Sequence, residues 1–466
     1  MYRKQIDAYF ADKEPELIKA VSRLVAVPSV KGPALPGKPF GEGPAAALEE
    51  ALRLCADWKL PARSLSGYVG VADLNDLEDG LHILAHLDVV EPGEGWHITE
   101  PYVPRVVDGM LYGRGASDDK GPLVAALFAL RAVRDLGISL SKNVRVILGT
   151  DEESGFGDIK WYYENHPYAP CAFSPDASFP LTNLEKGHFQ PHLRASWDRE
   201  TAGPRVVSIT GSKQVNVVPS VAWAVVSGLS EEGLEPHLSS LEAELGVTVT
   251  THWAQDALHL QVRGRSTHGS APEEGNNALT ALIALLCRLP LAQLPSTRHL
   301  HTLQELFPHG DHRGKALGIA RHDELAGPLT LTLTMLNLEA DGLAARFDCR
   351  TCLEATEENT LHVAKTSLAA RGIALEGHLD PPHHVPADSP FVQTLLRCYE
   401  QYTGDPGRCL STGGGTYVHG IPGGVAFGTA MPGFQSGLHG PDERVSIADL
   451  MTSCKIFTQA ILDLCL

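Results

Sequence analysis

No continuous apolar stretch in this 466-residue chain is long enough to span a bilayer: the longest, near Ala278 to Leu294, is broken by Arg288 and Pro290. The segment Met1 to Pro15 carries charges throughout and has neither an apolar core nor a small-residue cleavage pattern. No secretory signal is therefore expected, and a cytoplasmic location is. Positive charge is also in short supply. Lys and Arg total 38 against 56 Asp and Glu, a formal net charge of -18 that repels phosphate backbones and excludes nucleic acid as an expected partner. A disulfide framework is missing too, since the nine cysteines are odd in number, scattered, and mostly embedded in apolar segments. Cys349 and Cys352 form a CxxC, but without a second pair or an adjacent βαβ redox context the motif carries little weight for zinc or redox use.

What remains is ordinary globular composition, with 43% hydrophobic and 20% charged residues, in a chain longer than one hydrophobic core usually supports. Two domains are expected. In the first third, strand and helix signals alternate as in an α/β protein. Periodicity predicts a helix over Asp12 to Val27, buried strands over Leu81 to Leu87, Asn143 to Leu148 and Cys171 to Phe173, and a helix over Pro122 to Leu136 that stops at Gly137. Three of these strands run into acids: Asp88, the segment Thr150 to Glu153, and Asp176. Carboxyl ends of strands are where open α/β sheets place ligand sites.

Beyond Asp176 the pattern changes. From about Gly187 to Asp380 further strands (Val247 to Thr251, Leu258 to Val262, Leu343 to Cys349) and helices (Ala278 to Leu289, Glu357 to Ala370) are predicted, none with paired acids. Pro381 to Pro386 reads as a linker, after which Phe391 to Tyr402 resumes helical periodicity. The simplest organisation is a catalytic α/β domain in two parts, 1–186 and 382–466, with a mixed sheet flanked by helices, interrupted by an inserted α+β domain at 187–381.

Five clusters of acids and imidazoles recur along the chain: His86 with Asp88, Asp118 with Asp119, Glu152 with Glu153, Asp176, and His439. Taken singly, each has a plain explanation. His86 and Asp88 lie on one face of a strand end, as a hydrogen-bonded pair would. Asp118 and Asp119 precede a helix and suit its positive end. Glu152 and Glu153 fit a solvated strand end, and Asp176 a turn. Taken together, they read as a two-metal hydrolase site, in which three acids and two imidazoles ligate and a fourth acid stays free to move protons.

Order and flanking residues are more specific than any single cluster. HLDVVEPGEGW from His86, YGRGASDDKGP from Tyr112, GTDEESG from Gly149, SPDASFP from Ser174, STHGSAPEEGNNA from Ser266, and GGGTY from Gly413 with the later His439 together resemble the M20 metallopeptidases, most closely the PepV-like dipeptidase branch.

That resemblance implies a catalytic domain with two divalent metals, zinc first and manganese or cobalt as alternatives, and an inserted lid. By position, His86, Asp118 and Asp176 would hold one metal, and Asp118, Glu153 and His439 the other, with Asp118 bridging. Asp88 would orient His86, Glu152 would be the general base, and His268 would stabilise the oxyanion. Asn216, Arg350, Gly414, Gly415 and Thr416 would contact substrate, and the Asp118–Asp119 peptide would be cis. The implied activity is a metal-dependent dipeptidase acting on short unblocked peptides through an activated water between the metals. A deacylase or carboxypeptidase for N-acyl amino acids is the runner-up, and a noncatalytic metal-binding scaffold the third reading. The expected partner is a small peptide rather than a membrane, and the expected assembly a monomer or homodimer. Thr351 and Cys352 after Arg350, and Val418 and His419 after GGGTY, depart from the common pattern near the expected substrate.

Overall fold

The computed structural model describes residues 2–230 and 235–466. The chain divides into two compact units, one made of the chain up to Leu184 with His383–Ser411 and Gly415–Leu466, the other of Glu185–Pro382 with Thr412–Gly414.

The first unit is built on a mixed sheet. Its strands run in the order Ala62–Leu65, Val69–Asp73, Asn143–Gly149, Asp79–His86, Cys171–Ser174, Val425–Ala426, Leu181–Glu185 and His383–His384. Asp79–His86 pairs in parallel with Asn143–Gly149 on one side and with Cys171–Ser174 on the other. Three parallel neighbours must end on the same edge of the sheet, so the residues following Ala85, Leu148 and Phe173 are delivered to one place. These strands are buried on both faces, which is why they read as continuous apolar runs. Helix Lys120–Asp135, almost wholly buried, and helix Ile447–Cys465, capped by Ser446 at Asp449 N–H, pack in the same core as Glu14–Val25 and Glu42–Asp57.

Several sequence expectations are refined. The helix expected over Asp12 to Val27 is Glu14–Val25, with Pro15 in its first turn, where its missing N–H costs nothing, and a further helix, Arg3–Phe10, precedes it. Directly after Asp176, Ala177–Ser178 pairs in parallel with the distant Thr429–Ala430. Within the expected linker, His383–His384 adds a short strand to the sheet.

The second unit carries an antiparallel sheet in the order Thr248–Ala254, Ala257–Arg263, Val221–Ser227, Arg205–Thr210, Thr330–Glu339, Gly342–Thr351, Gly187–Phe189 and Leu379–Asp380. Helices Ala278–Leu286 and Pro295–Leu306 bury Leu279, Leu282, Leu300 and Leu303 in its core. Asn277 caps the first of these by accepting the N–H groups of Leu279 and Thr280. Among the described residues, no helix is long and apolar enough to cross a membrane.

Candidate metal centre and active site

All five expected ligands meet at the carboxyl edge of the first unit's sheet. His86 ends its strand, Glu153 follows the neighbouring strand, and Asp176 follows the third. Asp118 precedes helix Lys120–Asp135, and His439 sits in a turn closed by Gly440 N–H on Gly437 O, with a left-handed φ of 57° that few residues other than glycine adopt. His86 Nε2 lies 2.9 Å from Asp118 Oδ1 and 3.6 Å from Asp176 Oδ2. His439 Nε2 lies 3.0 Å from Asp118 Oδ2 and 3.3 Å from Glu153 Oε2. Asp118 thus turns one oxygen to each triad.

A cation with ligand bonds of about 2.0–2.2 Å holds its ligand atoms roughly 3 to 3.6 Å apart. The observed spacings fall in that range. Moreover, His86 Nε2 and Asp118 Oδ1 are buried yet make no hydrogen bond of proper geometry. Buried polar atoms are rarely left so. Two triads within reach of a cation, His86–Asp118–Asp176 and Asp118–Glu153–His439, fit the donor set of a divalent-metal pair.

The charges of the cluster shift one another's titration. Burial opposes charge on His86, but Asp118, Asp176 and Asp88 outweigh it and hold the imidazole well above its usual value. Contact with Asp118 and Glu153 carries His439 up to about 10. For Asp118, burial favours the neutral acid, yet the two imidazoles win and hold it below the carboxylate range. Burial raises Asp176, and lifts Glu153 to about 7. Glu152 belongs to neither triad. Burial, with Asp176, Glu153 and Asp118 nearby, pushes its carboxyl well up despite His86, and its Oε1 has no hydrogen-bond partner.

The surrounding hydrogen bonds show how these side chains are aimed. His86 Nδ1 faces the main-chain oxygen of Asp88 at 3.0 Å, while the Asp88 carboxylate, 3.6 Å from that nitrogen, accepts the N–H groups of Glu152 and Glu153. Asp88 therefore orients His86 through its carbonyl, and its side chain serves the glutamate pair. Asp119 occupies the helix N-cap position without making a cap bond, because its Oδ2 accepts the His86 N–H at 3.0 Å. The Asp118–Asp119 peptide is cis.

Sequence reasoning missed Asp158 and the role of Tyr417. Asp158 Oδ2 accepts the N–H groups of Thr150 and Asp151 and the Tyr417 hydroxyl, bracing the segment that carries Glu152. The Tyr417 ring meets His86 edge-on, with centroids 6.2 Å apart. Thr416 starts the 3-10 turn Tyr417–Gly420 by accepting Val418 N–H, and Gly415 precedes it in the same unit.

Asn216, His268, Arg350 and Gly414 belong to the second unit. Asn216 and His268 are brought together by pairing of Val217 with His268 and by Gly269 N–H donating to Asn216 O at 2.7 Å. Ser270 N–H donates to His268 Nδ1, and the Ser270 hydroxyl lies 2.7 Å from the same nitrogen. Gly414 N–H donates to Thr412 Oγ1. Most N–H groups of Arg350 are committed within its own unit. Its Nε and Nη2 donate to Asp348, its neighbour on the same strand face, and Nη1 reaches His188 Nε2 at 2.8 Å and Gly413 O at 2.7 Å. The CxxC thiols are free, and burial raises both above their usual value.

Fold and site together define a mixed α/β protein with a candidate metal centre. A model of Peptidase family M20/M25/M40 matches residues 82–463. "Putative dipeptidase YtjP" of Bacillus subtilis (strain 168) is 35% identical over 97% of this chain and 98% of its own length. The Beta-Ala-Xaa dipeptidase of Lactobacillus delbrueckii subsp. lactis is 31% identical over 97% of this chain and 96% of its own. Among solved structures, human carnosine dipeptidase 1 superposes with a TM-score of 0.56 at 15% identity, covering 99% of both chains. The Saccharomyces cerevisiae di-peptidase Dug1p gives 0.58 at 11%, covering 98% of both, and at such identities the likeness concerns the fold alone. The chain belongs to peptidase family M20/M25/M40.

Proposed function

We propose that this chain is a metal-dependent dipeptidase that cleaves the peptide bond of short peptides bearing a free N-terminal amine. The observation that carries the reading is Asp118 shared between two triads of ligands beside a buried, uncoordinated Glu152. A purely structural metal site has no use for such a base. The names of the B. subtilis and L. delbrueckii relatives, similar over nearly the whole chain, support dipeptides over N-acyl amino acids as substrates.

His86, Asp118 and Asp176 are assigned to one cation, and Asp118, Glu153 and His439 to the other, zinc first and manganese or cobalt as alternatives. When bound, the cations supply Lewis acidity that polarises the scissile carbonyl and acidifies the attacking water. Glu152 takes the proton from that water and returns it to the leaving amine, a task served by a carboxyl whose proton affinity burial has raised. Asp88 fixes the main chain of Glu152 and Glu153 while its carbonyl sets the ring of His86. His268 stabilises the oxyanion. Asn216, Gly414, Gly415 and Thr416 recognise substrate. Arg350, with one N–H uncommitted, shapes the carboxylate pocket and contributes a single bond to it. Nine free cysteines support a reducing, cytoplasmic setting, and the assembly is read as a monomer or a homodimer.

The test is a substrate panel on the metal-loaded protein: alanyl and β-alanyl dipeptides against N-acetyl amino acids. Hydrolysis that requires the free amine is expected. Preference for the N-acetyl compounds would replace the dipeptidase with a deacylase.

A further inference from the structure

We propose that Glu443, four residues beyond His439, is a positioning residue that sets the metal affinity of the centre by fastening the loop of Asp118 to the loop of His439. The inference rests on reading those two residues as metal ligands. Glu443 is fully buried. Its Oε2 accepts Arg114 Nη1 at 2.7 Å and the Gly115 N–H at 3.0 Å, and its Oε1 accepts the N–H groups of Ser117 at 2.9 Å and Asp118 at 3.1 Å. A carboxylate has about four lone-pair positions, and all of them are spent on the segment Arg114 to Asp118.

Arg114 closes the clamp from the other side. Its Nη2 donates to Gly440 O at 3.0 Å, immediately after His439, and to Pro92 O, while its guanidinium lies over the Trp96 ring. The main chain adds to this, with Gly113 N–H on Glu443 O at 2.9 Å and Arg444–Ser446 paired to Met110–Tyr112. Asp442 Oδ1 holds the N–H groups of His97 and Ile98. His439 therefore stands on a turn anchored just beyond it through Gly440, Asp442 and Glu443, and the Asp118 main chain is fixed by the Glu443 carboxylate. Such a buried ion pair adds little net stability over an apolar pair of equal size. Its particular yield is geometry, because no apolar residue serves three amide donors. Ligand atoms must be held within about 0.5 Å for tight metal binding, and this clamp sets the distance of Asp118 Oδ2 from His439 Nε2.

The experiment is Glu443→Gln in the full chain, which keeps the size but turns one oxygen into a donor facing donors. Cation affinity is read by competition with a chelating indicator, using Zn2+ and Mn2+ separately, alongside kcat and KM at saturating metal. The dissociation constant is expected to rise about 10- to 100-fold, with KM nearly unchanged and kcat largely regained once metal saturates. Leu54→Ala, in the core of helix Glu42–Asp57, lowers the melting temperature by a cavity alone and must leave metal affinity as it was. If Glu443→Gln does not fold, Arg114→Lys is measured instead. It keeps the charge beside Glu443 but loses the reach to Gly440, and a severalfold weakening supports the clamp. An unchanged dissociation constant in the folded variant overturns the inference. If the wild type itself binds no pair of divalent cations, the reading of the site fails first, so the two failures are distinguishable.

Discussion

Asp88 grips Glu152 by the main chain rather than the side chain: its Oδ1 accepts the Glu152 N–H at 3.1 Å, and its other oxygen accepts the next N–H, that of Glu153, at the same distance. One carboxylate thus sets the directions in which two adjacent side chains depart, one into a ligand triad and one beside it. Asp88→Asn leaves one acceptor for two donors. A buried amide without a partner costs about 1–3 kcal/mol, and the glutamate pair relieves that cost by moving. Metal affinity and kcat are each expected to fall about 10- to 100-fold with a modest drop in melting temperature, measured by metal competition and steady-state kinetics. Wild-type kcat in this variant would sink the main-chain role.

Glu152→Gln separates proton transfer from metal binding. Neither triad includes Glu152, so two cations per chain are expected by elemental analysis. The amide has no proton to accept or return, and kcat should fall by about 10²- to 10⁴-fold. Activity within tenfold of wild type, with metals in place, removes Glu152 from the role of base.

Metal loading should be strongly pH-dependent, and the direction follows from the protons the cluster holds. His439 is raised from 6.5 to about 10, so its contribution to the stability of the metal-free fold is complete below about 6.5 and lost as pH rises through 10. Glu153 is raised from 4.5 to about 7; the folded state holds a proton that the unfolded state has released, and that contribution is lost as pH climbs from 4.5 through 7. Cations compete with these same protons. The rise in melting temperature on adding Zn2+ or Mn2+ to stripped protein should therefore be larger at pH 8 than at pH 6, as read by differential scanning fluorimetry at fixed free cation. Equal or reversed gains would show that the imidazoles and acids of the two triads are not the groups displaced.

Much of this centre was legible because fully buried parallel strands announce themselves as short apolar runs, and the acids that break those runs at Asp88, Asp151 and Asp176 lie at their carboxyl ends. Local signals also served where one segment decides its own fate, as with the helix beginning near Pro122. Non-local pairing did not show. Nothing near Ala177 indicates that its partner strand is Thr429–Ala430, and a hairpin is the natural local guess. Asp158 and Glu443 were invisible for a related reason, since a single acid whose partners are main-chain N–H groups leaves no sequence pattern. Arg350 shows a constraint of another kind. Its residue type matched a carboxylate fork, but Asp348 two positions earlier on the same strand face takes that fork, a consequence of period-two geometry that the sequence did contain.

Gly149 offers the sharpest test of how strand ends hold the centre. A Cβ at this position would lie 2.0 Å from the Tyr417 hydroxyl, whose bond to Asp158 braces Thr150 and Asp151 ahead of Glu152. Gly149→Ala must push the ring away, and Tyr417 is fully enclosed, with Asp158 also buried. Overpacking of this kind costs about 1–3 kcal/mol, and the displaced ring loses its edge contact with His86. Lower thermal stability is expected together with a fall in kcat that exceeds any change in KM. The double variant Gly149→Ala with Tyr417→Phe removes the hydroxyl oxygen nearest the added methyl and should regain part of the stability but not kcat, because Asp158 still lacks its hydroxyl partner. Full recovery of kcat in the double variant would show that the Tyr417–Asp158 bond has no part in holding the glutamate segment.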